Sequence, residues 1–321
     1  MNDNLSVSII IPTLNRPKLV KRSIRSIHDQ IFKGSIKCTV VDSSDNNETE
    51  KVVEQFNITN KNFELNYLKN NKSQNPIDNY VFAIDSLSSD YSKFLNDDDW
   101  LEEEFLDECI KIFNTTSVDC VVSNISLHKE FTKKKEVISG YYKYTEGLIE
   151  KDRVINALLG ENDMIPVTPT ASLYKTEKLK ESFYSSLKHF ECTKYLFGFD
   201  FHMSYYHAFK GEGTYLMQKN LANAWAGDDS MTLNVKMAKI SYCYFYSLLK
   251  LIEISNSLIT KKQKKLIEHK LAVIKIKSMM NNEYKKITLP TEFKSKLIFI
   301  KVLKDFFKKS YIKFIYKYIK N

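Results

Sequence analysis

The sequence predicts an α/β fold, a doubly wound and mostly parallel sheet followed by a C-terminal all-helical extension. Three observations predict it. Between residues 7 and 95, four short β-branched or alternating runs are separated by three helix-period segments; this β-α-β-α-β-α-β order calls for crossover helices and parallel strands. From about residue 232 the pattern is helical throughout, as in KMAKISYCYFYSLLKLIEI and KKLIEHKLAVIKIKSMM. Glycine is scarce, 8 in 321 residues against a usual share of roughly 7%, which favours long helices over tight turns.

VSIII at 7–11 is β-branched and closed by Pro12, a buried strand. PKLVKRSIRSIHDQI at 17–31 opens on Pro at a helix start and spaces Leu19, Val20, Ile24, Ile27 and Ile31 along one helical face. Strand KCTVVD at 37–42, helix 48–56, strand FELNYL at 63–68, helix 77–87 and strand YSKFL at 91–95 follow. WLEEEFLDECIKIF is expected as a helix and DCVVSNISL at 119–127 as a strand, with a hairpin or exposed loop at EFTKKKE. VTPTASLYK at 167–175 is extended and GFDFHMSYYHAF at 198–209 helical.

The length suggests about two domains and suffices for a real core. The 19 Tyr and 20 Phe exclude a disordered chain. Cys38, Cys109, Cys120, Cys192 and Cys243 form no C-x-x-C pair, which argues against zinc and thiol-redox motifs and suits a reducing cytosol. The start of the chain reads as neither signal peptide nor anchor, and no uncharged apolar run of about 18 residues suggests a spanning helix. Net charge is +9, of which residues 291–321 carry +7 through nine Lys against Glu292 and Asp305.

In a parallel sheet, ligands bind beyond the carboxyl ends of the strands. Three strand ends here bear polar clusters: Thr13-Leu14-Asn15-Arg16, Asp42-Ser43-Ser44-Asp45, and Asn96 to Asp99. The last, in FLNDDDWL, crowds three aspartates before Glu102, Glu103 and Glu104. Asp99 as N-cap with Glu102 three residues on reads as a capping box, and acids in a first helical turn suit the dipole. Neither explains Asp97 and Asp98. Two carboxylates ~6 Å apart at an effective dielectric of ~20 repel by roughly 3 kcal/mol. Mg²⁺ or Mn²⁺ removes that cost, taking oxygen ligands from one or two carboxylates plus phosphate.

VSIIIPTLNRPKLVKRSIRSI, then CTVVDSSDNNET, a helix bearing Asn79, and YSKFLNDDDWL together resemble the bacterial family 2 glycosyltransferases of GT-A fold. The match is close over about residues 5–125 and looser to about 230. The resemblance implies a glycosyltransferase domain over 1–230, with a nucleotide-sugar half at about 1–100 and an acceptor half at about 101–230, before a helical region with a basic tail at 231–321. It implies that Pro12, Thr13 and Asn15 line a nucleotide cradle, that Asp42 accepts from the base, and that Asn79, Asp97 and Asp98 lie near ribose or donor sugar. Asp99, with Asp97, would touch the Mn²⁺ or Mg²⁺ that bridges the phosphates. Without the resemblance, Asp42 reads as a strand-end turn residue and Asn79 as part of a solvated helix face.

The chain departs from the family pattern. Ser43 stands where a second Asp is usual. Phe199-Asp200 replaces a Glu-Asp pair, leaving Asp200 as the candidate catalytic base and Glu191 in reserve. An Arg-x-His-x-x-Ser stretch is replaced by one with Trp225, Gly227 and Ser230, so the His is missing and Asp228 and Asp229 lie beside the gap. Asp200, among Phe197, Phe199 and Phe201, should have a raised pKa that suits a base; helix capping is the plain alternative. The six His are isolated and read as surface or core residues.

In the tail, Lys301, Lys304 and Lys308 share one helical face, and Lys309, Lys313, Lys317 and Lys320 continue at spacings of three and four. A basic amphipathic helix of this kind suits an anionic membrane surface; the plain alternative is a packed helix with snorkelling lysines. No nucleic-acid recognition motif accompanies it. The sequence thus leads to a peripheral enzyme on the inner face of the cell membrane. It would move a sugar with inversion from a nucleotide-diphosphate donor, foremost a UDP-sugar, to a glycan or lipid-linked glycan in bacterial surface polysaccharide synthesis. A polyprenyl-phosphate glycosyltransferase and a non-catalytic docking protein are the alternatives.

Overall fold

The computed structural model describes residues 4–72, 75–131, 134–161, 163–190, 197–228, 230 and 237–280. In the first part of the chain β1 (Ser6–Thr13), α1 (Pro17–His28), β2 (Ser35–Asp42), α2 (Glu48–Glu54), β3 (Phe63–Lys69), α3 (Pro76–Ile84) and β4 (Tyr91–Phe94) alternate as expected. Strands β1, β2, β3 and β4 pair in parallel, in the order β3-β2-β1-β4. Central β1 is the most apolar of them, and Val7, Ile9, Ile10 and Ile11 are all but fully buried. Its neighbour α1 turns Val20, Ile24 and Ile27 inward. That helix ends at His28, so Ile31 falls beyond it and is 51% exposed.

The second part is mixed. β5 (Trp100–Leu101), α4 (Phe105–Thr115), β6 (Cys120–Phe131), β7 (Lys134–Ile138), β8 (Gly147–Ile149), α5 (Lys151–Leu159), β9 (Ser172–Lys175), α6 (Thr176–His189), α7 (Phe199–Lys210) and β10 (Thr214–Gly227) extend the sheet to β3-β2-β1-β4-β9-β6-β10-β5. β9 joins the halves by pairing antiparallel with both β4 and β6. β6 and β7 form the hairpin expected near EFTKKKE, with Leu127 opposite Ile138. β10, 14 residues with a register break between Met217 and Ala222, runs parallel to β6. α8 (Met237–Ile254) and α9 (Lys261–Met280) follow.

Two compact units result. One runs to Ser257 without Leu159–Glu161; the other holds Leu159–Glu161 and the chain from Leu258. The site described below lies in the first. Among the described residues, no helix is long and apolar enough to cross a membrane. Glu191, Asp229, Cys192 and the basic tail at 291–321 lie outside the described residues.

One local expectation is overturned. The acidic run does not open a helix at Trp100. Trp100 and Leu101 are a strand, paired antiparallel with Asn223 and Ala222 of β10. Helix α4 starts only at Phe105, with Glu104 at its N-cap, so Asp99 and Glu102 form no capping box. Glu102 instead accepts from Asn223 Nδ2 at 2.7 Å. Pairing with a strand more than a hundred residues away overrides the local capping signal, because it satisfies backbone groups that a cap would leave to water.

Candidate active site

The chain runs outward from β1 to β2 and β3, then returns to β4 on the other side of β1. The boundary between β1 and β4 is therefore the topological switch point, where α/β sheets take ligands. β1 ends there on Pro12 and Thr13. Ile10 accepts on the β4 side (from Leu95 N, 3.0 Å) and Thr13 on the β2 side (from Ser43 N, 3.1 Å). Pro12 therefore turns toward β4 beyond its last paired residue, Phe94, and its missing N–H costs no ladder bond.

Thr13 Oγ1 donates to Asp97 Oδ2 at 2.7 Å, closing the switch point. Asn15 follows with φ 56°, a left-handed conformation that Asn tolerates. Its N–H donates to Ser44 Oγ at 2.7 Å, and its Oδ1 accepts from Asn46 at 3.2 Å. The ends of β1 and β2 are so joined on the far side as well.

Asn79 is 2% exposed, not part of a solvated helix face. Its Oδ1 accepts from Ser43 Oγ at 2.5 Å and Asn70 Nδ2 at 2.8 Å, and its Nδ2 donates to the Thr13 carbonyl at 3.4 Å. One amide ties together the ends of β1, β2 and β3. Asp42 is wholly buried. Its Oδ1 accepts from the N–H (2.8 Å) and hydroxyl of Ser44, and its Oδ2 from Tyr67 OH (2.8 Å) and Lys69 Nζ (3.3 Å). Contact with a base would require Tyr67 or Lys69 to yield its place.

Helix α1 holds the acidic turn by its backbone. The Ser23 hydroxyl lies 2.6 Å from the Asp99 carbonyl and 2.9 Å from that of Asp97, and Arg22 Nη2 donates to the Asp98 carbonyl at 2.5 Å. The Arg22 guanidinium rests 4.1 Å from the centre of the Trp100 ring. With the carbonyls held against α1, the three carboxylates have different fates. Asp99 is buried; its Oδ1 accepts from Trp225 N at 2.9 Å, and its Oδ2 from Asn96 Nδ2 at 3.0 Å and the Thr170 hydroxyl. Asp97 is shared between Thr13 and Arg16, and Asp98 is the most open of the three.

Burial raises the pKa of all three; the charge of Asp98 adds to the rise at Asp97 and Asp99, while Arg16 opposes it at Asp97 and Asp98. A single guanidinium nitrogen, Arg16 Nη1, lies 3.3 Å from Asp97 Oδ1 and 3.0 Å from Asp98 Oδ2. It is a cation standing between two carboxylates, so the gap accepts positive charge. Among the described residues no group of three or more His, Cys, Asp or Glu forms a metal cage. Without such a cage, the buried Asp97 and the more open Asp98 are the residues that could hold Mg²⁺ or Mn²⁺ together with phosphate oxygens. Asp99, with both oxygens engaged by protein donors, is the least available of the three for direct ligation.

Asp200 lies in the first turn of α7 beside Gly198, whose φ of 105° makes the sharp entry. Its Oδ1 accepts from the N–H groups of Phe201 (2.8 Å) and Gly198 (3.0 Å), and its Oδ2 from Tyr244 OH at 3.4 Å. Burial pushes its carboxyl up to about 6 against the pull of those N–H groups. Tyr80 brings this residue and the acidic turn together. Its ring packs 5.7 Å from Phe199, its hydroxyl donates to Asn96 Oδ1 at 3.3 Å, and the charges of Asp97, Asp200, Asp98 and Asp99 add to the burial that pushes that hydroxyl up. Tyr142 likewise feels both Asp200 and Asp99.

The position of the missing His is filled. A Cβ at Gly227 would lie 2.1 Å from the indole of Trp225. That indole leans along β10 and donates to Glu130 Oε2 at 3.3 Å, where Glu130 is the register partner of Gly227.

Arg16, Ser23, Tyr80, Thr170 and the backbone of Trp225 did not stand out as site residues in the sequence. Arg16 has a signal in its strand-end polar cluster and Trp225 in the stretch that departs from the family pattern; Ser23, Tyr80 and Thr170 reach the site through tertiary contacts.

The model of the family described as glycosyl transferase family 2 matches residues 8–183. Among curated proteins the chain is similar to the GalNAc(5)-diNAcBac-PP-undecaprenol beta-1,3-glucosyltransferase of Campylobacter jejuni subsp. jejuni, at 27% identity over 180 residues. The match covers 56% of each chain, so this chain spans a little over half the length of that relative. Among solved structures, S. aureus TarS 1–349 in complex with UDP-GlcNAc superposes with a TM-score of 0.57 at 15% identity, over 94% of this chain and 80% of that one. The same protein in complex with UDP matches with a TM-score of 0.57 at 16% identity, over 89% and 76%.

Proposed function

This chain belongs to glycosyl transferase family 2 and has the GT-A fold, and on that premise we propose an inverting transfer of a sugar from a UDP-sugar to a hydroxyl of a lipid-linked glycan. One observation carries the reading. Asp200, a half-buried carboxyl raised to about 6, shares its Tyr80 neighbour with the three aspartates at the switch point. That common neighbour supports a base and a diphosphate seat close to one another. The UDP donor is supported by TarS, solved with UDP and with UDP-GlcNAc; the lipid-linked acceptor is supported by the name of the Campylobacter relative.

Asp200 takes the proton of the acceptor hydroxyl as its oxygen attacks the anomeric carbon, and the bond from that carbon to the diphosphate breaks. Oδ2 is the oxygen for the proton, since Oδ1 is already engaged by two N–H groups. Asp97 and Asp98 would hold Mg²⁺ or Mn²⁺, which when bound neutralises charge on the leaving diphosphate. Asp99 keeps the acidic turn in place from behind. Pro12, Thr13 and Asn15 shape the cradle, Asn79 holds its floor, and Asp42 meets the base by exchange with Lys69 or Tyr67. The basic tail at 291–321 would hold the enzyme on an anionic membrane face, in a pathway of surface polysaccharide synthesis.

The test is UDP release by the full chain from a panel of UDP-sugars with Mn²⁺, with and without lipid-linked glycan, beside D200N. Acceptor-stimulated release that D200N loses by about 10²-fold or more is expected. Release that D200N leaves intact points instead to an acceptor already anionic, such as a polyprenyl phosphate. No release with any donor overturns the enzymatic reading.

A further inference from the structure

The gap between Asp97 and Asp98 already has an occupant from the chain itself. We propose that Arg16 is a built-in counter-ion: it closes the cation site by bridging Asp97 and Asp98, and moves to the diphosphate of the donor when a divalent cation displaces it. The proposal rests on the reading that a diphosphate donor and a divalent cation bind here.

The geometry favours exchange over coexistence. Arg16 Nη1 is within 3.3 Å of both carboxylates. A Mg²⁺ ion ligated by the same two oxygens at about 2.0–2.1 Å would occupy the same gap. The guanidinium would then face a double positive charge with Asp97 and Asp98 taken.

The backbone at Arg16 has no such freedom. Its carbonyl accepts from Leu19 N and Val20 N, both at 3.1 Å, at the start of α1, and Pro17 follows. Only the side chain can swing, and at 25% exposure it borders the crevice. Arg22 cannot take its part, because it is held by the Asp98 carbonyl and by the Trp100 ring. A displaced guanidinium beside a diphosphate finds two-pronged anionic acceptors that match its planar fork.

This arrangement predicts opposite effects of one substitution on two ligands. Mn²⁺ binding is followed by the loss of the free-ion electron paramagnetic resonance signal, and UDP binding by calorimetry, in wild type, R16Q and R16K. In the absence of UDP, R16Q should bind Mn²⁺ at least about five-fold more tightly than wild type, with R16K between them. In saturating Mn²⁺, R16Q should bind UDP about ten-fold more weakly. A purely structural role for Arg16 would weaken both. Mn²⁺ binding to R16Q no tighter than to wild type, while wild type binds Mn²⁺ with UDP, overturns the Arg16 proposal alone. No Mn²⁺ uptake by any of the three, with or without UDP, overturns the cation reading and this proposal with it. Circular dichroism melts identify folded protein, and should R16Q fail to fold, R16K decides by the same sign of change.

Discussion

The backbone N–H of Trp225 donates to Asp99 Oδ1 at 2.9 Å. The last strand of the sheet and the acidic turn after β4 are thereby one unit, although 126 residues separate them. Asp99 gathers Trp225, Asn96 and Thr170, while Asp98 is more open and meets Arg16. D99N replaces one acceptor oxygen with an amide NH2 that faces the donors of Trp225, Asn96 and Thr170, leaving a buried donor unpaired at about 1–3 kcal/mol, and should lower the melting temperature by several degrees. D98N should leave the melting temperature close to that of wild type yet abolish Mn²⁺ binding. Thermal melts paired with a Mn²⁺ titration of both variants check this, and equal destabilisation by the two would refute the division of roles.

Asp200 should give transfer an acid limb. Its carboxyl is raised by burial to about 6, and a base works only when deprotonated, so kcat/KM should fall as pH drops below about 6. The same shift has the opposite sign for stability. The folded state holds the proton to higher pH than the unfolded chain, so stability present at about pH 4 is lost as pH rises through 6. D200N should therefore be at least as stable as wild type at pH 7.5 while losing transfer. A variant that is both inactive and unstable at that pH would contradict this account.

Gly227 and Trp225 should be coupled. Any side chain at 227 meets the indole at 2.1 Å, and relieving such overpacking costs about 1–3 kcal/mol. G227A should be destabilising in wild type, close to neutral in a W225A background, and should shift the tryptophan emission. Additive effects in a double-mutant cycle would show that the ring does not occupy this place.

Lys93 should leave a signature in alkaline stability. It is fully buried on β4, donates to the Thr170 carbonyl at 2.6 Å and lies 4.4 Å from the centre of the Phe105 ring. Burial pushes its amine down to about 7. Between about pH 7 and 10 the unfolded chain binds a proton that the folded one does not, so stability rises with pH across that window. K93M should flatten this rise. Urea unfolding at pH 6.5 and pH 9.5 measures the difference, and an unchanged slope in K93M would assign the rise to other groups.

Local pattern alone determined the parallel half of the molecule. Alternating strand and helix periods from residue 7 to 95 predict four strands and three helices, and Pro12, Asp42 and Asp97 fall at strand ends because strand length is short and turn chemistry is local. The run of aspartates was equally visible, and with it the crevice where they gather. Tertiary structure decided what each carboxylate does. Asp97, Asp98 and Asp99 are adjacent in the chain and alike in type. Beside the local Asn96, which donates to Asp99, what sets them apart is Thr13, Arg16, Thr170 and Trp225, which arrive from β1, the start of α1, the turn before β9, and β10. The same holds for Trp100, which local charge patterning assigned to a helix and β10 drew into the sheet. Periodicity depends on neighbours within a few residues; burial, register and charge balance depend on partners whose sequence distance no local pattern encodes.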